Sequence, residues 1–148
     1  MTVRPVIDAD QPQWAGLRDA LWPGSPAAHD QETRGYFEHR FTAPVVFVAE
    51  EYRRLVGFLE LDFRKYAPGC ESSPVPFIEG WYVVPEWRGH GVGRALIEAA
   101  EAHLRAAGFR EMASDADVSN VEGIAAHAAL GFDEIERVVC FRRPLRDA

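Results

Sequence analysis

At 148 residues, the chain has the length of one domain with a substantial hydrophobic core. Apolar residues make up 47% and charged residues 26%, which is typical of a soluble globular chain. No apolar run approaches the roughly 18 residues that a membrane helix needs, and the N-terminus has no signal-like stretch. The formal net charge of −7 argues against nonspecific binding to nucleic acid and favours a cationic substrate.

The first part of the sequence predicts a strand, two helices and two further strands. Asp10 is placed to cap the first helix, which carries Trp14 and Leu17 on one face and ends before Pro23. Alternating apolar and polar residues indicate strands on either side of a polar turn at residues 51–54. The remaining predicted bounds are residues 2–7 for the first strand, about 30–41 for the second helix, and 45–50 and 55–66 for the later strands.

The second part predicts strands that alternate with helices. After a loop at residues 67–76, we expect strands at 77–84, 110–114 and 135–141 and helices at about 92–107 and 120–130. This order predicts an α/β fold with a mixed sheet, antiparallel in the middle and parallel around the strand that precedes residue 85. No internal repeat or linker interrupts it, so we expect one domain over residues 1–148.

A glycine-rich turn at residues 85–96 is the most informative segment. It lies between a predicted strand and a predicted helix, so several backbone N–H groups and the positive end of the helix dipole can converge on one anion. A dinucleotide fingerprint would need glycine at position 94, where the chain has Arg94, and the Gly-Lys-Ser/Thr of a P-loop is absent. What remains is Arg-x-x-Gly-x-Gly at Arg88, Gly91 and Gly93. The turn therefore predicts a site for a phosphate-bearing cofactor.

This Arg-x-x-Gly-x-Gly pattern resembles the acyl-CoA signature of the GCN5-related N-acetyltransferases (GNAT). Six runs outside the turn further resemble the aminoglycoside 6'-N-acetyltransferases of bacterial resistance, over about residues 4–143. They are residues 21–24 (LWPG), 69–75 (GCESSPV), 77–80 (FIEG), 110–115 (REMASD), 129–132 (ALGF) and 136–138 (ERV). The resemblance implies a GNAT-type acyl-CoA N-acyltransferase fold: a mixed, mostly antiparallel sheet with splayed central parallel strands and flanking helices. It also implies a homodimer.

The resemblance implies acetyl-CoA as the cosubstrate. Backbone groups of the strand before the turn would bind the pantetheine arm like an added strand, and the turn would hold the pyrophosphate. Asn120 would contact the cofactor near the thioester, although asparagine at a helix start is also a good N-cap. The implied cofactor-binding positions are Trp81, Tyr82, Val83, Arg88, Gly89, His90, Gly91, Val92, Gly93, Arg94 and Asn120.

Acidic residues are the candidates for amine binding and proton transfer. Glu79 interrupts an apolar strand, where an unpaired carboxylate would be costly, and Asp115 ends the next predicted strand. If these strands are neighbours, both carboxylates can face one cleft and take a proton from an ammonium group. By resemblance Glu79 and Asp115 bind the aminoglycoside and one acts as general base, directly or through water. Glu136 is a third candidate, with a surface pair to Arg137 or Arg142 as its structural alternative.

Two aromatic residues and one histidine complete the implied site. Trp22 and Tyr66 would contact the sugars or their ammonium groups, with ordinary packing as the alternative for each. Many GNAT enzymes have a tyrosine that protonates the leaving thiolate; here His127 occupies the matching position, where a structural histidine also fits. The leaving-group acid therefore stays open between His127, water and none.

The cysteines and histidines indicate neither a metal nor a covalent intermediate. Cys70 and Cys140 lack metal-like spacing and an obvious His–Asp set, so a reduced cytoplasmic protein is the simplest interpretation, with a disulfide left open. Two other functions stay open: acetylation of another cationic amine, such as a polyamine or a peptide N-terminus, and a non-catalytic acyl-CoA-binding module.

Overall fold

The computed structural model describes residues 1–38 and 45–147, which form nine regular elements. Two short 3-10 turns, Asp8–Asp10 and Pro85–Trp87, precede the first and third helices. The elements are β1 (Thr2–Pro5), α1 (Gln11–Leu21), α2 (Pro26–Phe37), β2 (Val45–Glu51), β3 (Arg54–Arg64), β4 (Val75–Val83), α3 (Val92–Ala106), β5 (Ala113–Ser114) and α4 (Val121–Ala129).

The five strands form one mixed sheet in the order β1-β2-β3-β4-β5. The first three neighbouring pairs are antiparallel, and β4 and β5 are parallel. The predicted mixed, mostly antiparallel α/β fold is therefore confirmed. The β4–β5 ladder is short, pairing only Phe77 with Ala113 and Ile78 with Ser114.

Helices cover the two faces of the sheet. On one face, Trp14 of α1 packs in a buried cluster with Val48 and Phe58. Successive strand residues point to opposite faces, so Gly57 faces the other side. There, a Cβ at Gly57 would lie 3.2 Å from atoms of both Val92 and Leu96, which identifies the α3 side. Because Gly57 has no side chain, α3 approaches β3 closely.

Asp10 lies at the N-cap position of α1, as predicted, but its side chain does not cap the helix. Its carboxylate forms no cap hydrogen bond; instead Oδ2 and Oδ1 accept from Arg4 Nη1 at 2.7 Å and Nη2 at 2.9 Å, and Oδ2 also accepts from the Ile7 N–H at 2.9 Å. Burial alone would raise the pKa of Asp10, but these bonds outweigh it and lower the pKa. The residue thus ties β1 to the start of α1.

Two predicted elements differ from the observed structure: the second helix and the last strand. The second helix begins four residues before the expected Asp30, at Pro26, because proline is well suited to a first helical turn; its predicted end at residues 39–41 lies outside the described residues. The predicted last strand is wrong, since residues 133–147 form neither helix nor strand. Its apolar side chains Val138, Val139 and Phe141 are 69%, 78% and 92% exposed. An alternating pattern forms a strand only beside another strand, and the ladder includes none for this segment.

The chain divides into two compact units, residues 1–115 and the residues from 116 onward. The first contains the whole sheet with α1, α2 and α3, and the second contains α4. The single domain over residues 1–148 stays a prediction. None of the helices within residues 1–38 and 45–147 has both the length and the apolar character that crossing a bilayer requires.

Candidate active site

Glu79 occupies a β-bulge in the middle of β4. Leu61 of β3 pairs with Ile78 and Glu60 pairs with Gly80, so Glu79 is an extra residue with no partner opposite it. A bulge bends the strand and turns a side chain away from the regular alternation. The Glu79 side chain is accordingly 28% exposed, although its strand is largely buried.

The bulge begins where β4 and β5 separate. The last paired residues of this parallel ladder are Ile78 and Ser114, and the next residue of each strand is an acid, Glu79 and Asp115. The sequence-based condition that these two strands are neighbours is thus met. β4 continues to Val83, five residues beyond its last pair with β5. An extended ligand chain can hydrogen bond along the backbone edge of a strand.

Arg64 binds Glu79 across the two strands, which the sequence analysis did not anticipate. Arg64 Nη2 donates to Glu79 Oε1 at 2.5 Å and to Oε2 at 2.9 Å, and Nε lies 3.3 Å from Oε2. The Arg64 guanidinium carbon also lies 3.4 Å from the centroid of the Phe77 ring. The Glu79 carboxylate is therefore already oriented before any amine arrives.

The glycine-rich turn has the backbone conformation that an anion site needs. Gly89 and Gly91 have φ of +80° and +82°, a region that favours glycine, and Gly91 immediately precedes α3. A Cβ at either glycine would meet open space, so conformation rather than crowding accounts for both. Val92 is only 1% exposed and belongs to the core, so only its backbone N–H is available to a ligand.

Side chains near the turn fix it against β4. Trp81 Nε1 donates to the Gly93 carbonyl at 3.3 Å, and a Cβ at Gly93 would lie 3.1 Å from the indole. Arg88 Nε donates to the Val83 carbonyl at 2.9 Å, with its guanidinium 5.5 Å from the Tyr82 ring. Two further predicted cofactor-binding residues, His90 and Arg94, are exposed; the His90 ring lies 5.6 Å from the Trp87 ring.

The two predicted aromatic contacts differ in environment. Tyr66 follows β3 and is 71% exposed. Trp22 follows α1 and is 37% exposed, with its ring edge against Phe58. A Cβ at Gly80 would lie 2.6 Å from Trp22 Cη2, so the indole rests directly on the β4 backbone beside Glu79. Trp22 is thus placed at the rim of the bulge.

Comparison with known proteins agrees with this geometry. A profile of the acetyltransferase (GNAT) family matches residues 14–132, well over half of the chain. The chain belongs to the acetyltransferase (GNAT) family. The β4–β5 ladder and the glycine-rich turn of this GNAT chain both lie within the matched residues.

Individual relatives of this GNAT chain have names that are more specific than that of the family. Aminoglycoside N(6')-acetyltransferase type 1 of Stenotrophomonas maltophilia is 46% identical over 97% of this chain and 94% of its own. The crystal structure of apo AAC(6')-IG from Acinetobacter haemolyticus has a TM-score of 0.89 at 36% identity, covering 99% of this chain and 100% of that one. AAC(6')-Iy in complex with the bisubstrate analog CoA-S-monomethyl-acetylneamine has a TM-score of 0.88 at 36% identity, covering 97% and 98%. The resemblance to aminoglycoside 6'-N-acetyltransferases is confirmed.

Three predicted residues of this GNAT chain lie in its second unit. Asn120 is the N-cap of α4, where its Oδ1 accepts from the Gly123 N–H at 3.0 Å. His127 Nδ1 lies 2.6 Å from the Gly123 carbonyl, and its ring lies 5.1 Å from Phe132. Because a carbonyl only accepts, Nδ1 carries the proton. Glu136 is exposed, and its neighbour Arg137 pairs with Glu134 at 2.7 Å rather than with Glu136.

Sequence reasoning missed a buried acid on β3. Glu60 is 4% exposed and pairs with Arg18 of α1 at 3.1 Å. An acidic residue within an apolar strand was the signal that singled out Glu79, and Glu60 carries the same signal. Among the described residues no group of three or more histidine, cysteine or acidic side chains could hold a metal, and Cys70 and Cys140 are free thiols.

Proposed function

We propose that this protein transfers the acetyl group of acetyl-CoA directly to the 6'-amino group of aminoglycosides and so confers resistance to them. The observation that carries the proposal is the end of the β4–β5 ladder at Ile78 and Ser114, immediately followed by Glu79 and Asp115. Two carboxylates at a strand split suit an amine that must be bound as a cation and attack as a free base. The relatives named aminoglycoside N(6')-acetyltransferase support this substrate class.

The residues of the turn and of β4 fit acetyl-CoA. Gly89 and Gly91 hold positive φ with open space beside them, so a pyrophosphate can approach the N–H groups at the start of α3. The backbone of β4 at residues 81–83, beyond the last pair with β5, would bind the pantetheine arm, and Arg88 and Arg94 would add positive charge near the phosphates. The cosubstrate supplies the activated acetyl group.

Glu79 and Asp115 would have different roles: Glu79 attracts the cationic amine and Asp115 removes its proton. Glu79, held by Arg64, adds negative charge that attracts the cationic sugar. Asp115 is exposed at the end of β5, so it is our choice for the general base, acting directly or through water. Trp22 and Tyr66 would contact the sugar rings. The roles of Asn120, His127 and Glu136 stay predictions; His127 can reach a leaving thiolate only through Nε2, since Nδ1 faces the Gly123 carbonyl.

Thiol release from acetyl-CoA, measured with kanamycin, spermine and a short peptide side by side, tests the proposal. We expect turnover with kanamycin, and mass spectrometry should find one acetyl group, at the 6' position. Turnover with spermine alone or with the peptide alone would favour another cationic amine as substrate. Release with none of the three would contradict catalysis and favour the acyl-CoA-binding module.

We also propose a cytoplasmic homodimer. The exposed side chains of Val138, Val139, Phe141 and Leu145 support it, because apolar side chains concentrated in one segment commonly mark an interface. The free thiols of Cys70 and Cys140 fit a reducing compartment. Light scattering after gel filtration should give the dimer mass for the native chain and the monomer mass for Phe141→Asp. A native monomer would contradict the dimer.

A further inference from the structure

The Trp22 residue contacts polar side chains that have no part in the acetyl transfer described above. The Trp22 cluster consists of Trp22, Arg18 of α1, His29 of α2 and Glu60 of β3. His29 and Glu60 are 7% and 4% exposed, and the Arg18 side chain is 13% exposed. The cluster joins two helices and the sheet under one partly exposed aromatic ring.

His29 connects the backbone of Trp22 to Arg18. His29 Nε2 lies 2.8 Å from the Trp22 carbonyl, and Arg18 Nε donates to His29 Nδ1 at 3.3 Å. A carbonyl accepts only and a guanidinium donates only, so Nε2 must carry the proton and Nδ1 must be bare. One tautomer of His29 therefore satisfies both hydrogen bonds. A flip of the imidazole ring would break both of them.

Arg18 is held in turn by two carboxylates. Its Nη1 donates to Glu60 Oε1 at 3.1 Å, and its Nη2 pairs with Glu32. The guanidinium carbon lies 5.3 Å from the Trp22 ring centroid and 5.9 Å from that of Trp14. These bonds fix the guanidinium against the indole, where a cation is attracted to an aromatic face.

The His29 ring and the Arg18 guanidinium both lie against the Trp22 indole. The His29 ring is nearly parallel to it, at an interplanar angle of 20° and a centroid distance of 6.3 Å. Because Arg18 and His29 are hydrogen bonded to each other, they lie on the same side of the ring. The tip of the ring rests on Gly80. Trp22 is 37% exposed, so part of the residue is accessible to a flat ligand group.

Stability does not explain the cluster. Glu60 Oε2 is buried and, within residues 1–38 and 45–147, has no hydrogen-bond partner of good geometry. Burial raises the pKa of Glu60 to about 7, although Arg18 opposes that shift. Apolar residues of similar volume are often as stabilising as a buried ion pair or more so. What such residues cannot do is hold the Trp22 carbonyl and ring in one orientation.

We propose that Arg18, His29 and Glu60 are positioning residues that hold the Trp22 indole against Gly80 as a platform for one sugar ring of the aminoglycoside. The proposal rests on the proposed function, because the platform has a use only if an aminoglycoside binds at the bulge. Its consequence is selective: loss of the cluster weakens binding of the sugar and leaves acetyl-CoA binding unchanged.

A double-mutant cycle between His29 and Trp22 tests the platform. His29→Leu removes both hydrogen bonds and leaves the Trp22 carbonyl unpaired, so we expect the KM for kanamycin to rise about tenfold. The kcat and the KM for acetyl-CoA should change less than about twofold, a split that general destabilisation would not produce. In a Trp22→Ala background, His29→Leu should have almost no further effect on the kanamycin KM, because the ring it orients is gone.

Two more variants test the platform independently of any folding defect in His29→Leu. His29→Gln keeps an N–H donor for the Trp22 carbonyl and should restore most of the native KM. Gly80→Ala leaves His29 intact but places a Cβ 2.6 Å from Trp22 Cη2, so it should displace the ring and raise the kanamycin KM alone. If His29→Leu fails to fold, judged by coenzyme A binding, these two variants decide the question.

The outcomes separate the two proposals. A wild-type enzyme that acetylates kanamycin, together with an unchanged KM in His29→Leu and Gly80→Ala, would overturn the platform alone. Equal effects of His29→Leu with and without Trp22 would also overturn it, since the histidine would then act elsewhere. A wild-type enzyme inactive on kanamycin would overturn the proposed function, and the platform with it.

Discussion

The glycine-rich turn at residues 85–96 and the Trp22 cluster both contact the same strand, β4, but they are built from different chemical groups. The turn presents backbone N–H groups, and positive φ at Gly89 and Gly91 sets their direction. The Trp22 cluster depends on side chains from three elements, joined by hydrogen bonds to His29 and Arg18. A phosphate bound by backbone tolerates most side-chain changes around it, whereas a platform built from side chains does not. Substitutions at the two regions should therefore affect different substrates.

The largest effect is expected between the two regions, at Asp115. Asp115→Asn removes the proposed base, and general base catalysis contributes about 100- to 10,000-fold, so kcat should fall by at least about 100-fold. Coenzyme A affinity, measured by calorimetry, should stay within about twofold. Glu101→Gln, on the exposed surface of α3, is the control for a lost charge and should have native activity. A collapse of coenzyme A binding in Asp115→Asn would instead make the residue structural.

The Trp22 cluster should also make stability depend on pH. Burial raises the pKa of Glu60 from its ordinary value of 4.5 to about 7 in the folded protein, so the folded state binds this proton more tightly than the unfolded chain does. Its contribution is therefore most favourable below about pH 4.5 and is lost as the pH rises towards 7, by about 3 kcal/mol. Arg18 and His29 lower this pKa, as does the Trp14 side chain, and Glu32 raises it, so the window belongs to the cluster as a whole.

Urea unfolding at pH 5, 6, 7 and 8 measures this dependence. Glu60→Gln cannot ionise and should lose less stability than the native protein over this range. Glu98→Gln, on the exposed surface of α3, should follow the native curve. A difference between native protein and Glu60→Gln that stays constant with pH would contradict the raised pKa.

The two regions also differ in how far the sequence predicts them. The turn was predicted because its signal is local: glycines between a strand and a helix have few other uses. Glu79 and Asp115 required the additional fact that β4 and β5 are neighbours, which the strand order supplied. The contacts of Arg18 and His29 with Trp22 join residues of different elements through side-chain orientation, which no spacing encodes. The predicted strand at residues 135–141 was wrong for the same reason. Its alternating pattern did not indicate which strand would pair with it.

A smaller effect is expected at the turn itself. Gly91→Ala forces a Cβ residue to φ near +82°, which costs roughly 1–2 kcal/mol and should weaken coenzyme A binding about tenfold as the turn relaxes. Gly108→Ala is a matched control: φ is +91° and the space beside it is open, but it follows the far end of α3. It should lose similar stability and keep native coenzyme A affinity. Equal losses of affinity would mean that the turn binds no phosphate.

The smallest effect is expected at Arg64, the exposed counterpart of Arg18. The Arg64 and Glu79 side chains are 45% and 28% exposed, so their pair contributes at most about 1 kcal/mol to stability. Arg64→Gln should therefore unfold at nearly the native urea concentration. It also frees Glu79 for a substrate ammonium group, so the KM for kanamycin should fall about threefold at low salt and less at high salt. Lys65→Gln removes the same charge one residue later and should change the KM less. A higher KM in Arg64→Gln would mean that Arg64 orients Glu79 for the substrate rather than competing with it, and the bulge would then depend on side-chain positioning as the Trp22 cluster does.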